Sequence, residues 1–178
     1  YIDISMTDCV AGLNSMAASA SLAADVVQQP EQAILNGGSF YDYYLTKDGR
    51  YMSVGSLEPQ FMIGLAAALD LPILLEKGAS FHPEDRQLVK QALADQFKTQ
   101  DYAHWHHVFA ALDVCVEPVL SLEEALHTPL AVERGWVVDV PLSEQTDQTE
   151  PQLACPIKFS RSQPRYDFIA QGLGDGKW

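Results

Sequence analysis

The run from Leu35 to Phe61, LNGGSFYDYYLTKDGRYMSVGSLEPQF, constrains the fold of this chain more than any other stretch. It opens on Gly37-Gly38, passes through an aromatic segment and turns at Asp48-Gly49 into a second segment. Tyr41, Tyr43 and Leu45 alternate with Asp42, Tyr44 and Thr46, which is the period of a half-buried strand. An Asp-Gly pair between two such runs predicts a β-hairpin, because these residues tolerate the positive φ that tight hairpin turns need. Glu58 follows, directly before Pro59. Proline suits the first helical position, where an N–H would have no partner anyway, so Pro59 predicts a helix with Phe61, Leu65, Ala68 and Leu69 on one face. Glu58 then stands at a strand-to-helix junction, where the positive end of the helix dipole favours a charged carboxylate. Such an acid can be held out for chemistry or cap the helix, and spacing alone favours the cap.

The flanking sequence predicts a mixed α/β fold of the α+β kind. From Ser5 to Val27, apolar residues recur at intervals of three and four (Met6, Val10, Leu13, Ala17, Ala20, Ala24, Val27) without a proline, which predicts one long helix. Its polar face is thin, and a helix this apolar packs between other elements. Pro30 and Gly37-Gly38 mark a boundary before the hairpin. His82-Pro83-Glu84-Asp85 predicts a further helix start, with Leu88, Ala92, Leu93 and Phe97 facing inward. Residues 100–112 predict a short helix with Trp105 and Phe109 as an i,i+4 pair. Val114 to Leu120 predicts a buried strand with Cys115 as a small buried residue. Ser121 and Glu124 have the spacing of a capping box at the start of the next helix. Trp136 to Val140 predicts another strand, residues 143–152 a polar loop, Leu153 to Phe159 a short extended segment, and Gly172 onward a frayed tail. The expected organisation is a connecting helix at 1–35, a small α/β domain at 36–140, and a polar loop with C-terminal tail at 141–178.

Composition excludes several functions. The 178 residues, 47% of them hydrophobic, suffice to bury a core. Eleven Lys and Arg against 24 Asp and Glu give a net charge of −13, which repels phosphate backbones, so no nucleic acid partner is expected. The few cations, among them Arg50, Arg86, Arg134 and Arg161, are scattered. Cys9, Cys115 and Cys155 have no metal-ligand spacing and form an odd set, which predicts a reducing, cytoplasmic setting. No basic start with an apolar stretch behind it and no apolar run of about 20 residues occurs, so no membrane association is expected.

The Leu35–Phe61 run resembles the signature of the α-methylacyl-CoA racemases, a branch of the family III CoA-transferases (the CaiB/BaiF superfamily). Leu35, Gly37, Gly38, Phe40, Tyr41, Tyr44, Thr46, Asp48, Gly49, Met52, Val54, Gly55, Glu58, Pro59, Gln60 and Phe61 fall on that pattern, while Asn36 stands for its usual Asp, Leu57 for its usual Ile, and its usual Pro is missing beside Ser39. Trp105 with Phe109, and the segment from Asp113 to Leu120, resemble two further family motifs. Glu133-Arg134-Gly135 and Phe159-Ser160-Arg161 correspond to two later ones.

The resemblance implies the small domain of the family III CoA-transferase fold, with residues 1–35 as the connecting helix from a large domain and a C-terminal tail. It implies inversion of the 2-methyl stereocentre of a CoA thioester by 1,1-proton transfer, with the acyl-CoA as substrate and no cofactor. The family's catalytic His, in a G-H-D-x-N-Y context, and its catalytic Asp have no counterpart in this sequence. The chain therefore resembles a C-terminal half that is inactive alone. Glu58 corresponds to the carboxylate that supports the His, reaching it from the small domain across an interlocked dimer. The implied partner is a second copy or an N-terminal half. No residue for holding CoA is assigned. A CoA-transferase that moves CoA between carboxylic acids fits less well, because the E-P-Q-F run belongs to the racemase branch. From another class, a non-catalytic dimerisation module is suggested by the apolar N-terminal helix.

Other constellations read as ordinary surface. His104 and His107 share a helix face, but His106 points elsewhere and His82 is distant in sequence, so no metal site is expected. Glu123-Glu124 and the acids of residues 144–150 read as solvated charge. Asp3, Asp8 and Asp113 match no catalytic position of the family.

Overall fold

The computed structural model describes residues 1, 3–27, 29–35, 37–143 and 146–169. Asn36, the acid at Glu144 and the tail from Gly172 lie outside the described residues. The chain forms two compact units, Tyr1–Val119 and Leu120–Trp178. The domain expected at 36–140 straddles the boundary between them.

In the first unit the hairpin is built as its sequence requires. β1 (Asp42–Leu45) pairs antiparallel with β2 (Tyr51–Val54), with Tyr44 opposite Met52 and Leu45 opposite Tyr51. The turn is a three-residue loop: the Thr46 N–H donates to the Arg50 carbonyl at 2.8 Å, and Gly49 takes the left-handed φ of +81° that such loops need. Phe40, Tyr44 and Thr46 are buried, whereas Tyr41 and Tyr43 point outward. β3 (Val116–Pro118) adds to the far side of β2, giving the sheet order β1-β2-β3.

Four helices cover this sheet or lead off it: α3 (Pro59–Leu69), α4 (Ile73–Lys77), α5 (Pro83–Phe97) and α6 (Tyr102–Ala110). The inner residues of α3 are Met62, Leu65, Ala66 and Leu69, so Leu65 and Leu69 fall as expected, while Phe61 and Ala68 are only partly covered. On α5 the buried set is Val89, Leu93 and Phe97. The expected Leu88 is exposed, because a residue four positions before Leu93 lies under it and its neighbour is rotated away by about 100°. Phe97 centres an aromatic cluster, 5.5 Å from the ring of Tyr44, 5.3 Å from Trp105 and 6.0 Å from Phe109. The Trp105 indole N–H donates to the Phe97 carbonyl at 2.8 Å, so this buried ring leaves no polar atom without a partner.

The hairpin tip is tied to α6. Asp48 accepts a hydrogen bond from the Thr46 hydroxyl at 2.5 Å and from the Tyr102 N–H at 2.9 Å. It thus satisfies one of the free N–H groups at the start of that helix. These bonds hold its carboxyl below the usual range. The Arg50 guanidinium lies 3.6 Å over the Tyr102 ring and donates to the Val119 carbonyl at 3.3 Å.

The N-terminal segment departs from the expected single helix. It forms α1 (Met6–Leu13) and α2 (Ser15–Ala24), separated at Asn14. The Asn14 side chain donates to the Val10 carbonyl at 2.9 Å and its N–H to the Ala11 carbonyl at 3.1 Å, which ends α1 after a weak helix former, Gly12. Neither helix buries a residue.

In the second unit, α7 (Leu122–Leu126) starts with the expected capping box. The Glu124 N–H donates to the Ser121 hydroxyl at 3.2 Å and the Ser121 N–H to the Glu124 carboxylate at 2.8 Å. α8 (Pro129–Glu133) follows, with Thr128 as its cap. β4 (Val137–Pro141) pairs antiparallel with β5 (Thr149–Leu153). Thr149–Gln152 are therefore strand, where a polar loop is expected. β5 is exposed along its whole length, so no alternation of apolar residues marks it, and its ladder to β4 holds it. Among the described residues no helix is long and apolar enough to cross a membrane.

Candidate functional site

The path from β2 into α3 presents Glu58. Residues 55–57 leave the strand by crossing the segment just before β3. The Gly55 N–H donates to the Cys115 carbonyl at 2.8 Å, and the buried Ser56 hydroxyl donates to the Val114 carbonyl. Glu58 then has extended backbone (φ −68°, ψ 141°) as the residue before α3, with Pro59 at the first helical position as expected. Its carbonyl accepts the Met62 N–H at 2.9 Å. The α3 helix can sit close to this crossing because residue 64 is glycine: a Cβ there would meet Val114 Cγ1 at 2.6 Å.

The capping role that the spacing favours is not taken up. The Glu58 side chain makes no capping hydrogen bond to α3. It is exposed and forms no ion pair among the described residues. A carboxylate at a helix start that leaves the helix N–H groups alone is available to a group outside the described residues. It can accept a hydrogen bond from an N–H donor or pair with a cation.

Cys115 is the neighbour that departs most from expectation. It is exposed, not buried, and adopts φ +52° immediately before β3. The left-handed turn sends its side chain outward while Val114 and Val116 on either side are buried. Local desolvation pushes its thiol up, and the Glu58, Asp113 and Glu117 carboxylates push it further in the same direction. A thiol held protonated in this way is a poor nucleophile. The chemistry that this corner offers is carboxylate chemistry.

The remaining candidates are dispersed. His104, His106 and His107 are exposed on α6, and His82 is the residue before α5, its side chain making no capping bond. No group of three His, Cys, Asp or Glu that could hold a metal occurs among the described residues. Asp8 lies in α1, Asp3 precedes it, and Asp113 lies beside Cys115. A cavity of about 820 Å³ lies elsewhere, between β1 and α5, with Tyr43, Tyr51, Arg86, Lys90 and Lys98 among its lining. Lys90 is bound there to Asp42 at 2.7 Å. Glu58 takes no part in it. Ser56 and Val114 escaped sequence reasoning, since a hydroxyl bonded across 58 residues leaves no local signal.

Comparisons with known proteins bear on the family and the fold. Residues 1–174 match the family model of CoA-transferase family III. The chain is 39% identical over 127 residues to the alpha-methylacyl-CoA racemase of Mus musculus, covering 71% of this chain and 33% of that protein. It is 38% identical over 117 residues to the alpha-methylacyl-CoA racemase of Homo sapiens, covering 65% of this chain and 30% of that protein. The chain thus spans about a third of the length of these curated relatives. A CAIB/BAIF family protein from Brucella suis superimposes with a TM-score of 0.70 at 20% identity, over 97% of this chain and 44% of that one. A Mycobacterium tuberculosis protein does so with a TM-score of 0.68 at 17% identity, over 93% of this chain and 43% of that one. Identities this low bear on the fold, a mixed α/β arrangement with small sheets, and not on chemistry. Matched along nearly its whole length, the chain belongs to CoA-transferase family III.

Proposed function

We propose that this chain is the part of an acyl-CoA racemase that supplies a supporting carboxylate, Glu58, to a histidine held elsewhere in the assembled enzyme. The carrying observation is that Glu58 is exposed at a fixed strand-to-helix junction and caps nothing. It does so within an E-P-Q-F run, in a chain 39% identical to a named alpha-methylacyl-CoA racemase. The proton beside a thioester carbonyl is far less acidic than a carboxylic acid, so its removal needs a positioned base and a stabilised enolate. Inversion needs a base on each face. A carboxylate behind a histidine orients the ring, selects its tautomer and stabilises the imidazolium formed when the ring takes the proton. In this reading Glu58 performs that service, the CoA thioester is the substrate, and no resident cofactor takes part. The three free cysteines fit a reducing, cytoplasmic compartment.

One observation favours a companion reading as an association module. α1 and α2 bury nothing, and they present Met6, Val10, Leu13, Met16 and Leu22 to solvent. A patch of this kind marks a surface that a partner covers. A second copy or the large-domain half fills that role, and the two readings are compatible.

Proton exchange tests the proposal. The chain alone should show no exchange of the α-proton of a 2-methylacyl-CoA in deuterium oxide, and mixing or fusion with a racemase N-terminal half should start it. Exchange by the purified chain alone, abolished by Glu58→Gln, would overturn the supporting role and make this chain the holder of a base.

A further inference from the structure

Nothing in the described structure holds the Glu58 side chain directly, so its position depends on the backbone that carries it. That backbone is fixed from both sides. Behind it, α3 buries Met62, Leu65, Ala66 and Leu69 in the core. Ahead of it, residues 55 and 56 are knotted to residues 114 and 115 by the Gly55 N–H to Cys115 carbonyl bond at 2.8 Å and the Ser56 hydroxyl bond to the Val114 carbonyl. Ser56 is 0% exposed, so its hydroxyl has no water to turn to, and the Val114 carbonyl that it reaches lies 58 residues away. A buried polar group in the crossing between two strands is costly unless it is bonded, which makes the crossing adopt one geometry. The Leu57 N–H bond to the Gly55 carbonyl at 2.9 Å tightens the last step before Glu58.

We propose that Ser56 is a positioning residue for Glu58: its bond to Val114 sets where the carboxylate projects, two residues further along a tightened backbone. The inference rests on the reading of Glu58 given above, and it extends that reading to the residue that aims it. A displacement of about 1 Å in a group that must meet a reacting partner costs on the order of 100-fold in rate. Ser56 acts through Glu58 and touches no reacting atom.

Two measurements test this, and the first needs no turnover. Cys115 lies beside Glu58 and is exposed, so the pH dependence of its alkylation, followed on the Cys115 peptide of the whole 178-residue chain, reports the charge at residue 58. Glu58→Gln should shift that profile to lower pH. In a Ser56→Ala background the same substitution should shift it by less than half as much. An equal shift in both backgrounds would overturn the proposal. If Ser56→Ala does not fold, Ser56→Cys, of similar size but a weak donor, replaces it. The second measurement uses the enzyme assembled with a racemase N-terminal half. Ser56→Ala should lower kcat about 10-fold or more with KM nearly unchanged, and adding Glu58→Gln should cost little beyond Glu58→Gln alone. Ser56→Thr, which keeps the donor, should restore most of the turnover per folded molecule. Losses that multiply would show that Ser56 does not act through Glu58. Full turnover in Glu58→Gln would overturn the catalytic reading of Glu58, and the alkylation profile would still decide whether Ser56 aims the carboxylate.

Discussion

Two helical regions of this chain invert the usual relation between composition and burial. The α5 helix is rich in charge and glutamine, yet it buries Val89, Leu93 and Phe97 beneath the hairpin. The α1 and α2 helices consist mostly of Ala, Ser, Met and Leu, yet they bury nothing. Burial is decided by whether a facing surface exists, and only α5 has one. The hairpin, α3, α5 and α6 form a core that is complete within the first unit. The N-terminal helices carry an apolar surface whose match is not among the described residues. Glu58 is therefore mounted on the finished part of the molecule, and in the proposed function α1 and α2 are the surface left for a partner.

The largest effect expected from this contrast is in the core. Phe97→Ala removes the ring at the centre of the aromatic cluster and should destabilise the chain by about 3–5 kcal/mol, read from chemical unfolding. A loss below about 1 kcal/mol would mean that the cluster is not the core of the first unit.

A smaller effect is expected at the edge of that core. Burial raises the Asp42 carboxyl, but the Lys90 ammonium at 2.7 Å and the Tyr43 N–H outweigh it, so the group is held below its usual value. A carboxyl depressed in the folded chain adds stability that is present above the ordinary value of 3.8 and is lost as the pH falls through the folded value. Asp42→Asn should remove that acid-sensitive part and cost about 1 kcal/mol or less at neutral pH, because the pair is partly exposed. Unfolding midpoints measured from neutral to acid pH check this. Identical acid dependence in the two proteins would contradict it.

The smallest effect on stability should come from the N-terminal helices, and there the informative quantity is assembly. Leu13 and Leu22 are each 86% exposed. Replacing both with Ser should change unfolding by about 0.5 kcal/mol or less. It should also shift the light-scattering mass of the parent chain, expected to be larger than a monomer at micromolar concentration, toward the monomer. A parent that is already a compact monomer at that concentration would remove the argument for a covering partner.

The sequence carried the local features and missed the distant ones. The hairpin, the helix start at Pro59, the Trp105–Phe109 pair and the Ser121–Glu124 capping box were legible because each is a short-range pattern with a short-range cause. The break at Asn14 was not, since one Gly-Leu-Asn step inside an apolar period changes no periodicity. Cys115 reads as buried because its neighbours are apolar, and only its φ of +52° turns it outward. β5 is exposed throughout, so its pairing left no pattern to read. Glu58 stands out in the sequence only through the motif around it. The Ser56–Val114 bond leaves no trace there, because the two residues meet only when β2 and β3 pair.

The most direct test of the account replaces Glu58 with Gln in the enzyme assembled from this chain and a racemase N-terminal half, and measures turnover and the unfolding midpoint on the same protein. A carboxylate facing an imidazole matters most when that ring becomes charged, which happens along the reaction and not in the resting complex. Turnover should fall between about 10-fold and about 10⁴-fold, with thioester binding and the midpoint nearly unchanged. Unchanged turnover per folded molecule with a lowered midpoint would reduce Glu58 to a helix-terminal residue and contradict the account.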